Sequence, residues 1–132
     1  MSSSATSTPP SIMVVDDELE LANLFKTFLE NEGYNAISFV DPLMALEYLK
    51  QTFDKFSLII TDLRMPGSCG IDLAKSIRAL GAQDIKIFLM TAFDARDLET
   101  QPKYIEARID KLLQKPIRFS ELRTIINDLW KT

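Results

Sequence analysis

Five short apolar runs recur along the chain at nearly even intervals, and four of them stop at a side chain capable of chemistry. They begin near residues 12, 36, 57, 85 and 111, separated by 24, 21, 28 and 26 residues. Each interval has room for one strand, one helix and two loops. Ile12-Met13-Val14-Val15 ends in Asp16-Asp17-Glu18, Leu58-Ile59-Ile60 leads to Asp62, Ile85–Met90 ends at Thr91, and Lys111–Gln114 closes on Lys115-Pro116. Runs that are apolar throughout, rather than at every second position, suit strands buried on both faces, and such strands belong to parallel sheets covered by helices on either side. The order βαβαβαβαβα therefore predicts an α/β chain, a three-layer open parallel five-stranded sheet with right-handed crossovers.

The intervening segments change period from two to about 3.6. Leu21, Phe25, Phe28 and Leu29 fall at helical spacing between Leu19 and Asn31, and Gly33 supplies the stop. Asp41-Pro42 reads as an N-cap with proline at the first helical position, opening a helix to about Lys50 on which Leu43, Leu46, Tyr48 and Leu49 cover the sheet. Pro66-Gly67 reads as a turn. A third helix covers Ile71–Leu80, with Ile71, Ala74 and Ile77 on one side and Gly81 beyond its end, and Cys69 reads as a passive residue in the loop before it. Asp94 to Asp110 is expected to be mostly helical but interrupted near Pro102. Ser120 is expected to cap a last helix carrying Leu122, Ile125, Ile126 and Leu129. Residues 1–11, MSSSATSTPPS, read as a flexible tail, and residues 12–131 as one domain, the size expected of 132 residues.

Composition removes several alternatives. With 46% hydrophobic and 26% charged residues the chain can build a core without disulfides or a structural metal. A formal charge of −4 and a pI near 4.8 leave no basic stripe for a phosphate backbone, so direct nucleic-acid binding is not expected. The chain has no histidine, which excludes His-dependent zinc sites and Ser-His or Cys-His catalytic pairs within it. The single cysteine cannot make an internal disulfide. The first basic residue is Lys26 and no apolar run approaches the ~18 residues of a membrane span, so neither a leader nor a membrane segment is expected, and the location expected is cytoplasmic.

In an open parallel sheet, ligands bind outside the carboxyl ends of the strands where strand order reverses. With the order 2-1-3-4-5, strands one and three are neighbours there, and Asp16, Asp17 and Asp62 converge. Unit charges ~4 Å apart repel by about 4 kcal/mol at an effective dielectric of 20, so a cation is needed. Hard oxygen ligands without histidine or cysteine favour Mg²⁺ or Mn²⁺, which keep open positions for phosphate oxygens. Lys115 adds a positive charge and Thr91 a hydroxyl, the parts required around a transferring phosphoryl group.

Asp16-Asp17, Thr61-Asp62-Leu63-Arg64-Met65-Pro66-Gly67, Met90-Thr91-Ala92 and Lys115-Pro116, in that order, resemble the signature of the two-component response-regulator receiver domain. The resemblance covers about residues 11–131 and implies a flavodoxin-like (βα)5 fold. It implies that Asp62 is the phosphoacceptor, charged by a sensor histidine kinase or a phosphotransfer protein. It further implies that Asp16, Asp17, Asp62 and the backbone carbonyl of Arg64 hold Mg²⁺, that Thr91 and Lys115 bind phosphoryl oxygens, and that Lys115-Pro116 is a cis peptide. Arg64, Phe93 and Pro116 are expected to flank the pocket. The family usually places an aromatic residue three positions before the site lysine, where this chain has Leu112, and Tyr104 to Asp110 lacks the family's small-residue turn. The expectation is a stand-alone, chemotaxis-regulator-like switch that alters its affinity for a downstream protein and catalyses only its own phosphorylation and dephosphorylation. The alternatives are a phosphorylation-independent docking module and an aspartyl-phosphate phosphohydrolase. The latter's Asp-x-Asp motif and cap insertion have no counterpart in this chain.

Overall fold

The computed structural model describes residues 9–65, 68–92 and 99–130. Its elements run β1 (Ser11–Val15), α1 (Leu19–Asn31), β2 (Asn35–Phe39), α2 (Pro42–Thr52), a 3-10 turn (Phe53–Lys55), β3 (Leu58–Asp62), β4 (Arg64–Met65), β5 (Ser68–Cys69), α3 (Gly70–Ala79), β6 (Lys86–Thr91), α4 (Pro102–Ala107), β7 (Lys111–Gln114) and α5 (Phe119–Leu129). The main sheet has the order β2-β1-β3-β6-β7 with every pairing parallel, which is the expected 2-1-3-4-5 arrangement of the five long strands. The two-residue strands β4 and β5 pair antiparallel, Arg64 with Cys69 and Met65 with Ser68. Cys69 is therefore a strand residue. The expected turn at Pro66-Gly67 lies outside the described residues.

Alternate residues of the central strands face opposite layers. Ile12, Val14, Leu58, Ile60, Phe88 and Met90 meet Phe25 and Leu29 of α1 and Leu122 and Ile126 of α5 in one core. Met13, Val15, Ile59, Ile87 and Leu89 meet Leu49 of α2, Ile71, Ala74 and Ile77 of α3, and Ala107 of α4 in the other. Both faces of the sheet are buried, which is why its strands read as continuous apolar runs.

Local details depart from the sequence reading. Ser11 already belongs to β1, and Asn35 holds the two prolines before it, its N–H donating to the Pro10 carbonyl at 3.1 Å and its Nδ2 to the Pro9 carbonyl at 3.4 Å. The part of the expected tail that is described, residues 9–11, is thus tied to the domain. On α2 the helix phase buries Pro42, Ala45 and Leu49, while Leu43 is 70% exposed and Tyr48 lies at the margin against the Phe39 and Phe56 rings. Of the stretch expected to be mostly helical, residues 94–98 lie outside the described residues. The chain does break near Pro102, at the extended Gln101 (φ −77°, ψ 139°), as a residue before proline prefers, and Pro102 starts the helix that ends at Ala107, its missing N–H falling where a helix has no acceptor for it. The N-cap of α5 is Arg118, with no side-chain hydrogen bond, so Ser120 sits inside the first turn instead of capping it.

Candidate functional site

The carboxyl edge of the sheet gathers the expected residues. β1 delivers Asp16, fully buried, whose N–H donates to the Phe39 carbonyl of β2 at 3.0 Å and whose Oδ1 accepts the Glu18 N–H at 2.9 Å. β3 delivers Asp62, 8% exposed. Asp17 is exposed beside them, and one carboxylate oxygen from each of Asp16, Asp17 and Asp62 lies within 4.8 Å of the others. From the end of β7, Lys115 Nζ donates to Asp62 Oδ2 at 3.1 Å and to Asp16 Oδ2 at 3.4 Å. Thr91, 2% exposed at the end of β6, accepts the Lys115 N–H through its carbonyl at 2.6 Å, which fixes the lysine backbone next to the threonine. Asp17, Glu18, Asp62, Leu63, Thr91, Ala92 and Lys115 line an open cleft of about 510 Å³.

The electrostatics are unequal across the lysine bridge. Burial raises the Asp62 pKa above the ordinary carboxylate value; Lys115 opposes the rise through its hydrogen bond and charge, and Asp16 and Asp17 reinforce it. Burial alone would lower the Lys115 pKa, but the Asp62 hydrogen bond and the charges of Asp16 and Asp62 outweigh it and hold the ammonium above its usual range. The ammonium stays charged and is shared by Asp16 and Asp62. An all-oxygen set this close fits a hard divalent cation, which would remove the repulsion that one lysine only partly offsets.

The backbone beyond Asp62 is clamped. Leu63 N–H donates to the Met90 carbonyl at 2.7 Å, and its own carbonyl accepts the Gly70 N–H at 2.7 Å. A Cβ on Gly70 would collide with the Asp62 carbonyl oxygen, so only glycine lets α3 start this close to the acid. Glu18, the last of the acidic run after β1, lines the cleft without having been assigned a role, and Gly70 was not among the residues the sequence pointed to; for Gly70 the available signal is a glycine opening a helix, a place it is not needed for helix geometry. The expected cis peptide is present at Lys115-Pro116, with Pro116 exposed beside the cleft rather than lining it. Leu112 is half-buried on β7, packed into the core shared by α2, α3 and α4. Phe93 and the Arg64 side chain lie outside the described residues.

The model of the response regulator receiver domain matches residues 12–127. The chain belongs to that family. The receiver protein CpdR of Brucella abortus is 32% identical over 120 residues, covering 91% of this chain and 93% of CpdR. Sporulation initiation phosphotransferase F of Bacillus subtilis is 26% identical over 115 residues, covering 87% of this chain and 89% of that protein. The receiver spans only 46% of larger relatives such as response regulator RppA of Synechocystis. In fold it is similar to the Vibrio cholerae chemotaxis protein CheY4, with a TM-score of 0.83 at 20% identity over 92% of this chain and 98% of that one. Receiver domains bind Mg²⁺ at an acidic pocket, and Asp16, Asp17 and Asp62 form an acidic cluster close enough to hold a metal ion. Among the described residues no helix is long and apolar enough to cross a membrane.

Proposed function

We propose that this receiver domain is a phosphoacceptor switch in which Asp62 takes a phosphoryl group from a phosphohistidine on a sensor kinase or phosphotransfer protein. The observation that carries the reading is the convergence of Asp16, Asp17 and Asp62 on one edge, with Lys115 bridging two of them. In the transfer, an Asp62 carboxylate oxygen attacks phosphorus, the P–N bond to the donor imidazole breaks, and the imidazole leaves with the electron pair. Asp16, Asp17, Asp62 and the Arg64 carbonyl would hold Mg²⁺, with Mn²⁺ as a substitute, and the bound ion supplies charge neutralisation to the phosphoryl oxygens. Lys115 would turn from the Asp62 carboxylate to a phosphoryl oxygen, and Thr91 would donate its hydroxyl to another. The only chemistry assigned is the domain's own phosphorylation and dephosphorylation; the product is a changed affinity for a downstream protein, in the cytoplasm where such a kinase would deliver the group.

Phosphoramidate, a small P–N donor, tests the assignment. After incubation with Mg²⁺, borohydride reduction of the acyl phosphate and peptide mapping should convert residue 62 alone to homoserine. Reduction at Asp16 or Asp17 instead, or at no residue while the chain remains folded, would contradict it.

A further inference from the structure

Helix α3 is anchored hard at both ends. At its start, the Gly70 backbone lies against the Asp62 carbonyl with no side chain between them, a Cβ there would also come within 2.7 Å of Leu89 Cδ1, and the peptide after Asp62 is clamped between Met90 and Gly70. Near its end, about 12 Å away along the axis, Arg78 is 8% exposed. Its Nε donates to the Ala107 carbonyl at 3.1 Å, Nη1 to the Ala82 and Ile85 carbonyls at 2.9 and 2.7 Å, and Nη2 to the Arg108 carbonyl at 2.8 Å and Asp110 Oδ2 at 3.3 Å. All five guanidinium donors are used. Asp110 Oδ2 also accepts the Ile87 N–H at 2.8 Å. Exposed ion pairs, Lys75 with Glu106 at 3.0 Å and Asp72 with Lys103 at 3.9 Å, join α3 to α4 along its length.

We propose that α3 is a coupling rod that carries displacement of the Asp62 peptide to the corner between α4 and β7, with Gly70 as the input contact and Arg78 as the output. The proposal rests on Asp62 being the phosphoacceptor. Neither contact has slack: the first is backbone against backbone, and the second is a planar fork with every donor engaged, so a shift at one end is not absorbed before the other. The corner is also the place where a shift has a second state to select. Arg108 is held in the left-handed region (φ 51°, ψ 56°), which residues with a Cβ rarely adopt, and its carbonyl is one of the groups Arg78 grips. Loosening Arg78 frees Arg108 to leave that conformation, and the corner then presents a different surface.

Backbone-amide NMR of the full chain with Mg²⁺ and fluoroberyllate, a phosphoryl stand-in, tests both layers. In the wild type, the amides of Asp62, Leu63 and Ala92 should shift together with those of Arg108 and Asp110. Arg78→Met should keep the first set and lose the second, and Arg78→Lys, which lacks the fork, should retain less than half of the corner response. In the metal-free protein, Gly70→Ala should move the Arg108 and Asp110 amides while Ser76→Ala, on the same helix, leaves them in place. A cleft response with a silent corner in the wild type, or an equal corner response in Arg78→Met, overturns the rod and leaves the phosphoacceptor reading intact. No response at the cleft would remove the phosphoacceptor reading, and the rod's input with it.

Discussion

Asp62 carries a charge its surroundings disfavour, since burial and two neighbouring acids together outweigh Lys115. A carboxyl whose folded pKa is raised contributes stability below the ordinary carboxylate value and loses it as pH rises through the raised one. Asp62→Asn is neutral at every pH, so without metal it should melt at a higher temperature than the wild type at pH 7, and the gap should close as pH falls toward 3.8. Calorimetry in chelator across that range checks the sign; a lower melting temperature for the variant at pH 7 would contradict it. At Arg108 the strain is in the backbone, and Arg108→Gly should stabilise by roughly 0.5–1 kcal/mol in urea unfolding, the relief of the left-handed conformation exceeding the glycine's added chain entropy. The acids, Thr91 and Lys115 were legible in the sequence because each ends a strand, and topology alone sends strand ends to one edge. Gly70 and Arg78 were not, because their roles depend on what packs against them: Asp62's carbonyl in one case, and carbonyls of Ala82, Ile85, Ala107 and Arg108 in the other.

Period and punctuation place four of the five helices, and on α2 Leu46 and Leu49 pack against the core as expected whereas Leu43 and Tyr48 do not. Counting large apolar residues selected Leu43 and Tyr48, whereas the angular phase of the helix puts small Ala45 and Pro42 inward with Leu49. The distinction has a measurable size. Leu49→Ala should cost about 2–5 kcal/mol through lost contacts and a cavity, while Leu43→Ser should stay within about 0.5 kcal/mol, both read from chemical unfolding. A proline also has two helical meanings, a break in the interior and a start at the first position, and only the extended Gln101 before it decides for the second. Likewise Ser120 followed by an apolar stripe satisfies the pattern of a capped helix although the cap, Arg118, lies two residues earlier.

Across the whole molecule the sheet order was the most legible property, since five evenly spaced runs with helical segments between them leave few right-handed, doubly covered arrangements. The same arrangement makes the cleft a meeting point of β1, β3, β6 and β7, so a cation bound there ties together segments distant in sequence. Mg²⁺ at about ten times its dissociation constant should stabilise the fold by about 1.4 kcal/mol, a rise of roughly 3–5 °C for a domain of this length; Asp16→Asn should reduce that rise, and an unchanged response would remove Asp16 from the ligand set. The central claim, a metal-dependent phosphoacceptor at Asp62, is tested most directly by intact-mass spectrometry after incubation with a small acyl phosphate, with and without Mg²⁺ and with Asp62→Asn alongside. The account requires one added phosphoryl group that appears only when both Mg²⁺ and Asp62 are present. An adduct that persists in Asp62→Asn, or none in the folded wild type with Mg²⁺, would contradict it.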